Sequence, residues 1–195
     1  MKAETITMQT TLKNAVPIAA EGDILNLFRQ TRRPDDFQPL VAANIERVRR
    51  IIHRIVLCPE NTEDLVQETF IKAYERIDQF QGKARFSTWL CGIGINLARS
   101  FVRSNNKRQL VELSENHEDK QKGKQSHELE SWQELRRIHQ AIAGLPVKYR
   151  TVIVLSVIEE LSMDEISEMV QCPKATIYWR LHQARKILSR SLEVQ

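Results

Sequence analysis

Between Phe37 and Ile55, apolar residues return every three or four positions: Phe37, Leu40, Val41, Ile45, Val48, Ile52 and Ile55. That is the period of one face of an α-helix. A shorter helix precedes it through GDILNLFRQ, and RRPDD separates the two, because proline disfavours helix at the residue before it. CPEN ends the long helix, and the pattern resumes near Asn61 or Thr62, with Val66, Phe70, Ala73, Ile77 and Phe80 on one face. Asp64, Gln67, Glu68 and Glu75 lie away from that face. After the loop QGKAR, Ser87 is placed to cap a further helix. Leu90, Ile93, Leu97 and Phe101 are its expected buried stripe. Gly92, Asn96, Arg99 and Arg103 form a second, polar stripe at the same spacing.

The rhythm then stops. VELSENHEDKQKGKQSHE has almost no apolar residue after Leu113, too few to offset the entropy of ordering it. It reads as a flexible tether. Helical spacing returns with Leu129, Trp132, Leu135, Ile138 and Ile142, is broken at Gly144 and Pro146, and continues over residues 147–159. SMDE carries a capping box, Ser162 with Glu165, opening a short helix with core residues Ile166, Met169 and Val170. QCP makes a tight turn, and a last helix starts near Lys174 with Ile177, Leu181, Ala184 and Leu188 as its apolar stripe. No strand alternation occurs, so the expected fold is all-α: two small helical bundles joined by a linker. The expected limits are an arm at 1–20, a first bundle at 21–108, a linker at 109–127 and a second bundle at 128–195.

Charge adds little by itself. The chain has 195 residues, 29 Lys and Arg against 25 Asp and Glu, a net charge of +4 and a pI near 9.0, which permits an anionic partner without requiring one. Cys58, Cys91 and Cys172 are odd in number and far apart, which argues against a disulfide framework or a zinc site and for buried thiols in a reducing compartment. His53, His117, His127, His139 and His182 show no ligand or triad spacing, and no Gly-rich phosphate loop occurs, so an enzyme, a metal and a cofactor are not expected. The N-terminus has no secretory pattern, and no run approaches the roughly 18 apolar residues of a membrane span. A cytoplasmic protein without membrane insertion is expected.

The chemistry lies in the last two helices. A short helix, a tight turn and a second helix make a helix-turn-helix, whose second helix fits a DNA major groove. Burying Ile177, Leu181 and Ala184 turns Trp179, His182, Gln183 and Lys186 outward. Lys174 and Thr176 stand at the helix N-terminus, where free N–H groups favour phosphate. Arg180 and Arg185 flank the outer face. Trp179 has two readings: an edge against DNA, or a ring folded back on its own bundle or serving a protein partner.

DLVQETFIKAYERIDQF followed by GKARFSTWLCGIGIN resembles region 2 of the extracytoplasmic-function sigma factors of the sigma-70 family. LPVKYRTVIVLSVIEELSMDEISEMVQCPKATIYWRLHQARK resembles their region 4. The resemblance spans about 21–108 and 128–190, in the family's order. It implies a bacterial transcription initiation factor with no catalysis of its own. Region 2 would dock on the clamp of the largest RNA polymerase subunit through Asp64, Gln67, Glu68 and Lys72. It would open the −10 promoter element with Lys83, Arg85, Phe86, Trp89, Asn96, Arg99, Arg103, Lys107 and Arg108. An Asn can hydrogen-bond a flipped base, and the cations can hold the strand. Trp89, at a helix start, reads more readily as core than as a platform for a base.

Region 4 would read the −35 element through Lys174, Thr176, Tyr178, Trp179, Arg180, His182, Gln183, Arg185 and Lys186. It would also pack on the flap of the second-largest subunit. An anti-sigma factor is implied as a regulator. The chain departs from the family at Ala175, where Gly is usual, and at Trp179 and Gln183, so the usual −35 sequence does not carry over. A free-standing helix-turn-helix regulator is the competing reading. The long first bundle and the lack of a dimerisation heptad argue against it.

Overall fold

The computed structural model describes residues 18–112 and 137–193. Among them every regular element is helical. The first unit holds α1 (Ile18–Thr31), α2 (Pro34–Val56), α3 (Pro59–Glu75), a 3-10 turn at Ile77–Gln79 and α4 (Phe86–Glu112). The second holds helical residues 137–143, α5 (Val147–Ile153), a π-helical turn (Val154–Ile158), α6 (Met163–Val170) and α7 (Lys174–Glu193).

Proline sets two boundaries. Pro34 and Pro59 open α2 and α3, where a missing N–H costs nothing. The residues before them, Arg33 and Cys58, are extended as proline requires. α3 therefore starts ahead of the expected Asn61. Leu57 ends α2 in the left-handed region (φ 65°), its N–H donating to the His53 carbonyl. The first helix begins before Gly22, because Ile18–Glu21 continue its turn.

The first core is aromatic. Phe28 of α1 meets Phe37 of α2 and Tyr74 of α3, each at 4.9 Å between centroids. Phe86 meets Phe80 at 5.6 Å and Trp89 at 5.7 Å. The Tyr74 hydroxyl donates to the Arg32 carbonyl at 2.6 Å and ties down the end of α1. Val66, Phe70, Ala73, Ile77 and Phe80 are all buried, as their spacing predicts.

α4 departs from expectation in three ways. It begins at Phe86, and the Glu21 carboxylate accepts the Phe86 N–H, so Ser87 lies inside the first turn and is not the cap. Its buried apolar residues are Phe86, Leu90, Cys91, Ile95, Ala98 and Val102, while Ile93, Leu97 and Phe101 are half-buried. Two apolar arcs flank this helix, and the surfaces packed on it decide which is innermost. It also runs to Glu112, beyond the expected end at 108. The rest of the expected linker, and Leu129, Trp132 and Leu135, lie outside the described residues. Ile138 is exposed.

In the second unit, the capping box forms as predicted. The Ser162 hydroxyl accepts from the Glu165 N–H at 3.3 Å, and Glu165 accepts from the Ser162 N–H at 3.0 Å. Glu165 is held below the usual carboxylate range, first by the Ser162 hydroxyl bond. Ile166, Met169 and Val170 are buried, as are Ile177, Leu181 and Ala184. Gln171 turns the chain at φ 48°, and the Ser167 hydroxyl donates to the Cys172 carbonyl at 2.8 Å. The expected helix over 147–159 is α only to Ile153; the π turn follows, with the Glu159 N–H donating to the Val154 carbonyl at 2.9 Å.

The two units pack on each other, which the sequence pattern did not predict. α4 lies against α6, and one apolar cluster runs through both units. Glu159 is gripped by Arg50 and Arg54 of α2. The Arg150 guanidinium donates to the Ile55 carbonyl at 2.7 Å, across the seam. Cys91 is buried and Cys58 and Cys172 half-buried; all three are free.

Candidate nucleic-acid interface

Helix α7 exposes what its buried stripe leaves over. Tyr178 is 59% and Trp179 51% exposed, and His182, Arg185 and Lys186 are exposed beside them. Thr176, Arg180 and Gln183 are half-buried at the margins. The geometry of Trp179 is compatible with either of its readings. One side rests on Tyr149 of α5, 6.1 Å between centroids, and the other is free. Lys148 lies over the same tyrosine at 4.8 Å, so this edge joins an aromatic pair to a cation. Lys174 is exposed and paired with Asp164 of α6, which raises its pKa. A phosphate at the helix start would compete with that carboxylate.

The second candidate surface follows α3 and α4. A groove of about 350 Å³ is lined by Lys72, Arg76, Trp89, Asn96, Glu168 and Gln171 among others. Asn96 and Arg103 are exposed, and Arg103 donates to the Arg99 carbonyl at 3.2 Å. Arg99 is half-buried with its Nε unpartnered. Burial lowers its pKa first, and the neighbouring Arg180 and Arg103 lower it further. Arg180 belongs to α7, so the two surfaces meet at a cluster of like charge. Lys83 and Arg85 are exposed on the loop before α4. The side chains of Lys107 and Arg108 lie outside the described residues.

Phe86 must be reassigned. It is 0% exposed, wedged between Phe80, Phe37 and Trp89, and cannot reach a strand. Its role is to seat the start of α4. Trp89 packs on the same cluster yet lines the groove, so it is core on one side and available on the other.

On α3, Asp64 and Gln67 are exposed, while Glu68 and Lys72 are half-buried and pair at 2.7 Å. Ile71 sits between them, 58% exposed. The sequence reading passed over Ile71; its signal was being out of register with Phe70 and Ala73. Glu168 and Gln171 join the groove from the second unit, which spacing along the first cannot show, and Arg76 enters it from the C-terminal end of α3. No group of His, Cys, Asp or Glu able to hold a metal occurs among the described residues. No described helix is long and apolar enough to cross a membrane.

Residues 40–108 match the Sigma-70 region 2 family, and residues 135–188 match the Sigma-70, region 4 family. The ECF RNA polymerase sigma-E factor of Haemophilus influenzae is 31% identical, covering 80% of this chain and 87% of its own length. The ECF RNA polymerase sigma factor SigW of Bacillus subtilis is 33% identical, over 81% of this chain and 89% of its own. The sigma factor RpoE, solved with the anti-sigma factor NepR from Bartonella quintana, is similar in fold. Its TM-score is 0.61 at 23% identity, covering 83% of this chain and 99% of that one. CnrH, solved with the cytosolic domain of CnrY, has a TM-score of 0.63 at 22% identity, covering 90% of this chain and 98% of that one. The chain belongs to the sigma-70 family of RNA polymerase sigma factors, in its extracytoplasmic-function (ECF) group.

Proposed function

We propose a division of labour between the two surfaces. The first unit, residues 21–108, docks on core polymerase through the α3 face of Asp64, Gln67, Glu68 and Lys72. It holds the unwound −10 strand along Asn96, Arg99 and Arg103 of α4, with Lys83, Arg85, Trp89, Lys107 and Arg108 as further contacts. The second unit, residues 128–195, reads the −35 element with α7. Lys174, Thr176, Arg180, Arg185 and Lys186 serve phosphates, and Tyr178, Trp179, His182 and Gln183 face the bases. The residues after Glu112, to about 127, tether the two. The observation that carries this reading is α7: its apolar stripe is buried, and the opposite face carries exposed aromatic and basic residues.

The protein works in the cytoplasm and contributes no catalysis; the chemistry belongs to the polymerase. An anti-sigma factor is its regulator, a reading supported by the fold likeness to sigma factors solved with such partners. Run-off transcription tests the proposal: the protein is added to bacterial core polymerase and a library of promoter fragments. Transcripts that need both components support it. Specific operator binding with no effect on polymerase contradicts it.

A further inference from the structure

We propose that this chain selects a thymine in the −35 element through Trp179, with Tyr149 of α5 positioning the indole and Lys148 holding a phosphate beside it. This rests on the assignment of α7 to the −35 element, and it extends the reading surface from one helix to two. Trp179 is a position where the chain departs from its family, so the preference is particular to this protein.

The first argument is the rigidity of the aromatic pair. Tyr149 and Trp179 meet at 6.1 Å between centroids, with their planes tilted by 60°. Rings attract one another in such a geometry. Both stand on helices pinned to the core. On α5 the next residue, Arg150, is buried and donates to the Ile55 carbonyl at 2.7 Å and the Leu145 carbonyl at 3.2 Å. Thr151, Val152 and Ile153 are buried behind it. On α7, Ile177 and Leu181 lie on either side of Trp179 in sequence and are buried. A helical side chain leans back over the residues three and four before it. For Trp179 these are Thr176 and Ala175, both small, which leaves the ring room to reach Tyr149. A tryptophan on a bare surface samples several rotamers. Tyr149 narrows that choice, so less freedom is lost when DNA binds.

The second argument is what the free part of the ring offers. Trp179 is 51% exposed despite its contact, on the face opposite Ile177, Leu181 and Ala184. Apart from the Nε1–H, the indole edge is apolar. In the major groove the base that presents an apolar group is thymine, through its C5-methyl. The surroundings are cationic. α7 carries Lys174, Arg180, Arg185, Lys186 and Arg190, and its one acid, Glu193, stands at the far end. Lys148 is exposed, its Nζ 4.8 Å from the Tyr149 centroid, which sets a cation on the α5 side of the pair. An apolar edge among cations suits a methyl-bearing base between phosphates.

The third argument is register. Trp179 and Gln183 are four residues apart, so they share a face and are offset by about 6 Å along the axis. Base pairs rise by about 3.4 Å. The thymine therefore lies one or two base pairs from the pair that Gln183 reads.

The test removes one methyl group at a time. On a promoter selected by run-off transcription, each −35 thymine of either strand is replaced singly by deoxyuridine. Binding of the full chain together with core polymerase is measured, and circular dichroism verifies the fold of every variant. Wild type should bind about fourfold more weakly when the thymine in that register loses its methyl, the worth of one buried carbon. Trp179→Ala should be indifferent to that methyl and keep the other −35 preferences. Tyr149→Leu, which retains apolar bulk, should lose most of the discrimination, and Tyr149→Phe should retain it. Lys148→Ala should weaken all promoters alike and flatten the salt dependence, with the methyl effect intact. Equal binding of every thymine and deoxyuridine promoter by wild type, with other −35 substitutions still costly, overturns the proposal and leaves the α7 assignment standing. A methyl effect that persists in Trp179→Ala overturns it too, and gives the indole to a protein partner or to its own bundle. A methyl effect unaltered by Tyr149→Leu removes α5 from the reading surface and overturns the composite site. Indifference of wild type to every −35 substitution sinks the α7 assignment itself, and the proposal with it.

Discussion

A side chain on α7 informs only if its neighbours hold it at the groove. Gln183 is half-buried at the edge of the Leu181 and Ala184 stripe, which restricts its rotamers and favours a bidentate pair with adenine. Gln183→Ala should cost roughly 1–3 kcal/mol at one base pair and relax the preference there, read by binding to promoters varied at single positions. Arg180→Ala should weaken all promoters alike and flatten the dependence on salt. A sequence-selective loss in Arg180→Ala would reverse the two roles. Cys91 makes a separate prediction. Burial pushes its thiol up to about 11, aided by Glu159 and opposed by Arg47 and Arg50. Its proton stays on at neutral pH, so the stabilising contribution is complete below the ordinary thiol pKa and fades as pH rises toward 11. Alkylation of native protein at pH 8 should label Cys58 and Cys172 well before Cys91; equal rates would contradict this. Phe86 shows where residue type misleads. An aromatic beside Lys83 and Arg85 resembles a stacking platform, and only the positions of Phe37 and Phe80 reveal it as core.

Helix limits and faces were legible wherever a local rule governs them. The capping box, the turn at Gln171 and the buried stripe of α7 follow from spacing alone. Ser162→Ala removes a hydroxyl that satisfies the Glu165 N–H, and should cost about 1 kcal/mol of stability in chemical denaturation. Glu165 has a lowered pKa, so its share of the cap is present at neutral pH and lost as pH falls through that lowered value. A variant as stable as wild type would mean that the box is idle. α4 was harder to read because Ile93, Leu97 and Phe101 continue from the buried Leu90 as regularly as Cys91, Ile95, Ala98 and Val102 follow one another. Which stripe faces inward depends on α2, α3 and α6 together. The π turn was not legible at all: VLSVI carries no residue that marks it, and its effect appears only where Glu159 meets Arg50.

The division into two helical units was readable from the polar stretch between them, because composition alone argues against a core there. Their mutual packing was not. It depends on Gly92 meeting Met169, on Arg150 reaching Ile55, and on Glu159 reaching α2, contacts between residues far apart in sequence. The consequence at this scale is that promoter opening is a joint act of the protein and core polymerase. On a promoter selected by run-off transcription, permanganate reactivity of thymines in the −10 element reports unwinding directly. The account predicts reactivity only when both protein and core are present, strongly reduced by Asn96→Ala combined with Arg103→Ala while core binding persists. Thymines that stay unreactive in the ternary mixture, or that open equally well with the doubly substituted protein, would contradict it.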